Sequence, residues 1–260
     1  MTHHVIRSSF LKREVKVDLY YPLSGAEGAG ISLLLINDGQ DMEKLELRDM
    51  LTRLQSDGKI APLFCVGIHC GEDRKNEYGV AGIPDYKGRG AKAGLYTRFV
   101  FEELLPFIRK QSGIHSFKTK SFCGFSLGGL SALDIVWSHP REFFRIGVFS
   151  GSLWWRSKGL DEGYVEETDR IMHDQIRKGM YAPWLKFFFE TGTMDETEDR
   201  NNNGIIDSID DTLGLIEELE RKGYHRLNDI RYLELEDGKH DVATWAKAMP
   251  CFLQWGWGLE

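Results

Sequence analysis

A serine between glycines, where a predicted strand meets a predicted helix, constrains this chain more than any other feature. The segment Gly124-Phe125-Ser126-Leu127-Gly128-Gly129 follows an apolar run at residues 121–125 and precedes a helical pattern at residues 127–138. In such a turn the serine backbone is strained, and the glycines allow close backbone approach. The hydroxyl then stands at the sheet edge beside a helix N-terminus. The pattern favours a nucleophilic serine over a glycine-rich turn with an incidental one.

Short apolar runs alternate with helical patterns along the whole chain. The runs at residues 31–36 and 63–68 are almost continuously apolar, which is typical of strands buried on both faces of a parallel sheet. We therefore predict an α/β fold with a mostly parallel central sheet and helices on both faces, in a single domain over residues 1–260. Further strands are predicted at residues 15–21, 121–125, 145–149, 185–190 and 230–235, and helices at residues 45–54, 96–110, 127–138, 164–178, 212–222 and 242–255.

Charge and hydropathy argue against several classes of function. The chain has 33 basic and 40 acidic residues and a net charge of −7, so it lacks the basic character of a nucleic-acid-binding protein. The same balance gives no reason to expect binding to an anionic membrane. No apolar run approaches the roughly 18 residues of a spanning helix, and the first residues lack the apolar core of a signal peptide. We expect a cytoplasmic protein whose four cysteines are free thiols.

A serine hydroxyl needs a histidine base, and the histidine needs a carboxylate to orient it. Four histidines follow Ser126 in the sequence: His139, His173, His225 and His240. His139 lies at a helix end, His173 lies within a polar helical pattern, and His225 follows a helix stop. His240 follows the last predicted strand and precedes the final helix, which places it at the sheet edge where Ser126 also lies. We therefore predict His240 as the base.

The acid is expected in the loop after the strand at residues 185–190, since the order in this kind of site is serine, acid, histidine. Asp195 is the first carboxylate beyond that strand and is our candidate. Glu196, Glu198 and Asp199 lie in the same loop and remain alternatives.

Two backbone N–H groups are expected to stabilise an oxyanion. The N–H of Leu127 follows the nucleophile at the start of its helix. The second donor should follow the strand at residues 31–36, where the sequence is Asn37-Asp38-Gly39-Gln40. Gly39 permits an unusual turn, so the N–H of Gln40 is our candidate; a plain turn is the alternative.

Residues 199–210 have the spacing of an EF-hand calcium loop. Counted from Asp199, oxygen-bearing side chains occupy positions 1, 3, 5, 9 and 12, and Gly204 occupies position 6. A calcium ion held here would be structural and would fix the loop that carries Asp195; a polar turn that ends in a helix cap is the alternative. The expected ligands are Asp199, Asn201, Asn203, the carbonyl of Ile205, Asp207 and Asp210.

On these residues the chain resembles the esterase D and enterochelin-esterase-like branch of the α/β-hydrolase superfamily, from about residue 15 to 255. The resemblance implies an α/β-hydrolase fold and a serine esterase that works through an acyl-enzyme, with no cofactor for catalysis. One departure is Asp38-Gly39, which replaces the family's common His-Gly dipeptide and disfavours S-formylglutathione hydrolase. The matching segments are residues 38–40, 99–106, 124–129, 149–155 and 238–241 with Trp245.

Three further residues are candidates for binding a small-molecule or carbohydrate ester. Trp154 and Trp155 would stack on a feruloyl ring, a catecholate or a sugar, and core packing is the alternative. Arg74, in a glycine-rich stretch at residues 71–94 that fits no element, would meet an anionic or hydroxylated substrate or pair with Glu77. The candidate substrates are feruloyl, acetyl-sugar and siderophore-type esters. An acyltransferase and a non-catalytic, calcium-stabilised binding module are the competing functions.

Overall fold

The computed structural model describes residues 1–23 and 30–259, in which one sheet of eight strands occurs. The strands are β1 (Thr2–Ser8), β2 (Arg13–Tyr20), β3 (Ser32–Asn37), β4 (Leu63–Ile68), β5 (Lys120–Phe125), β6 (Arg145–Phe149), β7 (Lys186–Met194) and β8 (Ile230–Lys239). Their order in the sheet is β1-β2-β4-β3-β5-β6-β7-β8. The β1–β2 and β2–β4 pairs are antiparallel, and all other neighbouring pairs are parallel. The mostly parallel sheet that the sequence predicts is therefore confirmed.

Helices cover both faces of this sheet. They are α1 (Leu47–Ser56), α2 (Arg74–Glu77), α3 (Ala93–Arg98), α4 (Leu105–Ser112), α5 (Leu127–Ser138), α6 (Glu166–Asp169), α7 (Ile171–Lys178), α8 (Asp207–Lys222) and α9 (Val242–Trp257), and a π-helical segment, Phe99–Leu104, joins α3 to α4. One hydrophobic cluster joins the sheet to α5, α7 and α8, and a second joins it to α1 and α9. Both faces of β3 and β4 are thus covered, and every residue of these two strands is buried. That burial explains their continuously apolar sequences.

The structure differs from the sequence prediction at residues 164–178, where two short helices replace one. The helices α6 and α7 meet at Arg170, whose backbone is extended with φ −75° and ψ 104°. The carboxylate of Asp169 accepts hydrogen bonds from the N–H of Val165 (2.8 Å) and the hydroxyl of Ser157 (2.9 Å). These local bonds compete with a continuous helix and end α6.

Residues 71–94 are packed against the sheet-covering helices rather than forming a free loop. They contain α2, and the N–H of Ala81 donates to the carboxylate of Asp134 on α5 at 2.9 Å. The indole of Trp155 lies beneath Gly79 and Gly90, where an added Cβ would come within 2.9 and 2.8 Å of the ring. The glycines therefore serve close packing against Trp155.

Of the two edge strands, β8 is predicted from the sequence and β1 is not. The sequence prediction misses β1, because His3, His4 and Arg7 obscure its apolar alternation. Both edges carry exposed charged or ionisable side chains, namely His3 and Arg7 on β1 and Arg231, Glu234, Glu236, Asp237 and Lys239 on β8. The ladder between β7 and β8 also shifts register between Gly192 and Met194.

Among the described residues, no helix combines the length and apolar character needed to cross a membrane. All four cysteines lie in the described part of the chain and are free thiols, as the sequence predicts. Burial raises the pKa of the Cys123 thiol well above its ordinary value, so this group is unreactive.

Candidate active site

Ser126 lies in the sharp turn between β5 and α5 with φ 54° and ψ −123°, a conformation that L-residues rarely adopt. Its N–H donates to the carbonyl of Phe149 at 2.8 Å, and its carbonyl accepts from the N–H of Gly129 at 3.0 Å. A Cβ at position 124 would overlap the backbone of Gly128, so only glycine fits there. The turn thus holds the Ser126 hydroxyl at the carboxyl edge of the sheet, half-buried and 3.3 Å from the Oγ of Ser152.

Asn37, at the end of β3, supports the turn from behind. Its side-chain amide donates to the carbonyl of Gly128 at 2.8 Å and accepts from the hydroxyl of Tyr96 at 2.5 Å. All three groups are buried, so these bonds are shielded from water. The position of the serine is therefore fixed by an element remote in sequence.

The candidate oxyanion donors follow β3 and Ser126. Asp38 has a positive φ of 61° and starts a turn of 3-10 helix at Gly39–Asp41. A Cβ on Gly39 would come within 2.6 Å of the backbone of Gly67, so glycine is required there. Neither the N–H of Gln40 nor that of Leu127 has a hydrogen-bond partner among the described residues. Both groups are free to bind a ligand oxygen.

Arg74 is engaged with Asp38 rather than held free for a substrate. Its Nε and Nη2 donate to the two oxygens of the Asp38 carboxylate, each at 2.7 Å. Burial opposes the charge of the guanidinium, but the Asp38 carboxylate raises the pKa of Arg74 above its ordinary value. The two roles predicted for Arg74 from the sequence, binding a substrate or pairing with Glu77, do not include Asp38. A contact between residues 36 positions apart leaves no local pattern in the sequence.

His240 lies between β8 and α9 and has access to solvent. Its ring packs edge-on against Trp245, with centroids 5.4 Å apart. Partial burial lowers the pKa of His240; the charge of Asp195 acts to raise it and that of Arg74 to lower it. His240 thus lies within electrostatic reach of Asp195 and Arg74. It makes no direct hydrogen bond to Ser126 or Asp195 in the described structure.

Asp195 is held in the loop after β7 by two hydrogen bonds. One oxygen accepts from the hydroxyl of Ser150 at 3.1 Å and the other from the N–H of Gly192 at 3.1 Å. The indole of Trp245 donates to the same hydroxyl at 3.0 Å. Burial raises the pKa of Asp195, while these hydrogen bonds and His240 act to lower it. Ser150, with a positive φ of 44° at the end of β6, is a supporting residue that the sequence prediction misses.

The three alternative acids lie in other surroundings. Glu198 is exposed, and the oxygens of Asp199 accept from the N–H groups of Asn203 and Gly204 at 3.1 and 2.9 Å. Burial, followed by the charge of Asp207, raises the pKa of Glu196 to about 7. Of the four candidates, it is Asp195 whose negative charge acts to raise the pKa of His240.

The two tryptophans differ in exposure. Trp154 is partly exposed and carries the guanidinium of Arg89 4.8 Å from its ring centroid. Trp155 is fully buried, and its indole donates to the carbonyl of Ile83 at 3.3 Å. The expectation that Trp155 contacts substrate is therefore corrected, since its ring has no surface to offer. Core packing is its role.

The loop at residues 199–210 turns its oxygen-bearing side chains toward one another. The carboxylate of Asp210 accepts from the amides of Asn201 and Asn203 at 3.0 and 3.3 Å. Asp207 is instead bound by Arg200, which donates its N–H at 2.9 Å and its guanidinium at 3.2 Å. In the described ranges, no group of three or more His, Cys, Asp or Glu residues is placed to hold a metal ion. To bind a metal ion, this loop would need asparagine side-chain oxygens and backbone carbonyl oxygens as ligands in addition to its carboxylates.

The chain is similar to known proteins over most of its length. A family model described as putative esterase matches residues 8–255. The uncharacterized protein YjcH of Bacillus subtilis is 22% identical over 247 residues, covering 92% of this chain and 89% of its own.

Two solved structures share the fold at low sequence identity. An enterochelin esterase from Shigella flexneri superposes with a TM-score of 0.74 at 20% identity over 97% of this chain. This chain spans only 57% of that protein. The siderophore hydrolase EstB from Aspergillus nidulans superposes with a TM-score of 0.70 at 16% identity, covering 97% of this chain and 94% of EstB.

Proposed function

The chain belongs to the putative esterase family, and from that premise we propose that it hydrolyses carboxylic esters with Ser126 as nucleophile, His240 as base and Asp195 as orienting acid. The observation that carries the proposal is the strained, glycine-packed turn at Ser126, which lies at the same sheet edge as the other two residues. A fluorophosphonate probe tests it, because only an activated serine reacts. Labelling at Ser126 supports the proposal, and a folded chain that resists the probe contradicts it.

Acylation begins when the Oγ of Ser126 attacks the ester carbonyl and His240 takes its proton. The carbonyl oxygen gains negative charge and accepts hydrogen bonds from the N–H groups of Leu127 and Gln40. The N-terminus of α5 adds a partial positive charge at the same place. The alcohol leaves with the proton from His240, and water, activated by the same imidazole, then releases the acid from Ser126.

The electrostatics around His240 suit a general base. Burial, aided by Arg74, lowers the pKa of His240, so the imidazole is neutral and ready to accept a proton at neutral pH. Asp195 acts in the other direction and stabilises the imidazolium once it forms. The missing direct hydrogen bonds are compatible with this role, because such bonds often form only with substrate in place.

For the acyl group, an aromatic acid with oxygen substituents fits best. Trp154 follows Ser152, whose hydroxyl lies 3.3 Å from that of Ser126. Around the Trp154 ring stand the guanidinium groups of Arg89, at 4.8 Å, and Arg156, at 6.0 Å. A ring can stack on this surface while Arg156 attracts phenolic or carboxylate oxygens, whereas Arg89 is already paired with the carboxylate of Asp85. This arrangement favours feruloyl and siderophore-type esters over acetyl-sugars.

A structural calcium ion in residues 199–210 is part of the same proposal. The side-chain oxygens of Asp199, Asn201, Asn203 and Asp210 and the carbonyl of Ile205 fit a hard cation. Asp207 fits least, because Arg200 already neutralises it. The ion would supply no chemistry to hydrolysis; it would hold the segment that connects Asp195 to α8.

A further inference from the structure

A second carboxyl group lies beside Asp195. Glu190 is on β7, five residues earlier, and is 1% exposed. Within residues 1–23 and 30–259, neither of its carboxyl oxygens has a hydrogen-bond partner. A carboxylate buried without a partner is strongly disfavoured, whereas the neutral acid is tolerated.

The surroundings of Glu190 are apolar on the neighbouring strands. Glu190 is in register with Phe149 on β6 and Leu233 on β8, and both belong to the hydrophobic cluster shared with α9. Residues in register project from the same face of a sheet. Glu190 therefore points into the layer between the sheet and α9, near Trp245 and Ser150.

Few titratable groups face Glu190. Among the described residues, Asp195 in the following loop acts on Glu190, while His240 and Asp241 act on Asp195 in turn. Tyr232 on β8 is in register with Phe189 and therefore projects from the opposite face of the sheet. Burial, followed by the charge of Asp195, raises the pKa of Glu190 to about 8, and the N–H and hydroxyl of Ser150 act to lower it. The charge of Asp195 thus opposes the ionisation of Glu190. The N–H of Ser150 donates to the backbone carbonyl of Glu190 at 2.8 Å and its hydroxyl donates to Asp195, so Ser150 lies beside both residues.

The hydroxyl of Ser150 can serve only one of these two carboxylates. It has a single proton and two lone pairs. Trp245 donates to one lone pair, and the proton is donated to Asp195. An ionised Glu190 would compete for that proton, whereas a neutral Glu190 would not attract it.

We propose that Glu190 is a positioning residue, which as a neutral acid leaves the Ser150 proton to Asp195 and so keeps the Asp195 carboxylate in place for His240. This inference rests on the proposed triad. When Glu190 releases its proton to solvent, the Ser150 hydroxyl turns toward the new carboxylate. Asp195 then loses one of its two hydrogen bonds, and the base loses its orientation.

Two measurements on the intact chain test the inference. Infrared difference spectra should show a protonated carboxyl at neutral pH that disappears near pH 8 and is missing in the isosteric variant Glu190→Gln. In hydrolysis of p-nitrophenyl acetate, kcat of the unmodified chain should fall to about half near pH 8 with KM unchanged, while Glu190→Gln stays flat. The control is Glu217→Gln, an exposed ion-pair residue on α8, which should keep the alkaline fall.

Other outcomes overturn the inference. No protonated carboxyl at neutral pH, or an alkaline fall that persists in Glu190→Gln, removes the role of Glu190. Hydrolysis that survives Ser126→Ala removes the proposed triad instead, and the infrared band still decides the protonation of Glu190. If Glu190→Gln does not fold, the unmodified chain alone tests the inference. Its protonated-carboxyl band and its kcat must then be lost over the same pH range, and losses at different pH values contradict the role of Glu190.

Discussion

The guanidinium of Arg74 meets the carboxylate of Asp38 through two parallel hydrogen bonds of 2.7 Å. Asp38 is buried and opens the turn that presents the N–H of Gln40. A negative charge so close to the proposed oxyanion site would oppose catalysis there, and Arg74 neutralises it. The aspartate that replaces the more common histidine is thus tied to an arginine far away in sequence.

Arg74→Ala should destabilise the fold by about 3 kcal/mol, because it leaves Asp38 buried and unpaired. The kcat should also fall, since the oxyanion turn loses its support. Chemical denaturation measures the first effect and initial rates the second. The matched control is Arg7→Ala, which removes an exposed pair with Glu14 and should cost about 0.5 kcal/mol or less. Equal losses in the two variants would contradict the structural role of Arg74.

Ser126→Ala should lower kcat/KM for p-nitrophenyl acetate by about 10⁴-fold or more, because the acyl-enzyme can no longer form. The melting temperature should stay near that of the unmodified chain, since the side chain fills no core space. Ser116→Ala, at an exposed position, should retain full activity. Substantial turnover by the Ser126 variant would exclude this residue as nucleophile.

The pH dependence of kcat/KM should report His240. The pKa of His240 is lowered, so the acid limb should have its midpoint below about 6.5, with activity rising as the imidazole loses its proton. Asp195→Asn removes the charge that raises this pKa, so the midpoint should shift to lower pH and kcat should fall by about 10³–10⁴-fold. An upward shift would contradict the assignment, and Glu198→Gln in the same loop serves as the control.

Calcium should raise the melting temperature by about 5–10 °C relative to chelator when the ion is present at about 100 times its dissociation constant. Asp199→Ala should abolish the shift, because it removes a carboxylate at the first ligand position. Hydrolysis by calcium-free protein well below its melting temperature should continue. Calorimetry after exhaustive chelation checks the shift, and its absence would favour the plain polar turn.

Trp154→Ala should raise KM about tenfold for feruloyl esters through loss of stacking. Acetate esters, which have no ring to stack, should be affected far less. Steady-state kinetics on matched feruloyl and acetyl esters measure the ratio. Trp184→Ala removes another exposed tryptophan and should leave both substrates unchanged; a uniform loss for both esters would place Trp154 outside the acyl site.

Much of the fold could be predicted from local sequence patterns. The apolar runs of β3 and β4 and the glycines around Ser126 reflect burial and close backbone approach, both of which act over a few residues. The break at Arg170 was missed because it depends on hydrogen bonds to Asp169 that a helical pattern does not reveal. Local side-chain bonding there outweighs helical periodicity.

The site was predicted less completely than the fold. Its candidate serine, acid and histidine follow strand ends, so strand order brings them to one edge of the sheet. Ser150, at the end of β6, donates a hydrogen bond to Asp195 after β7, and no spacing in the chain encodes such a contact. The burial of Trp155 was hidden for the same reason, since the glycines above it lie more than 60 residues away.

The ionisable borders of the sheet have a consequence for self-association. A strand from a second molecule would have to lie beside His3 and Arg7 at one border, or beside Arg231, Glu234 and Lys239 at the other. Either docking would desolvate those groups, and the register shift at β8 spoils the ladder as well. Copies of this chain should therefore resist fibril-like growth through their sheets, and any stable association between them would have to use the helical faces.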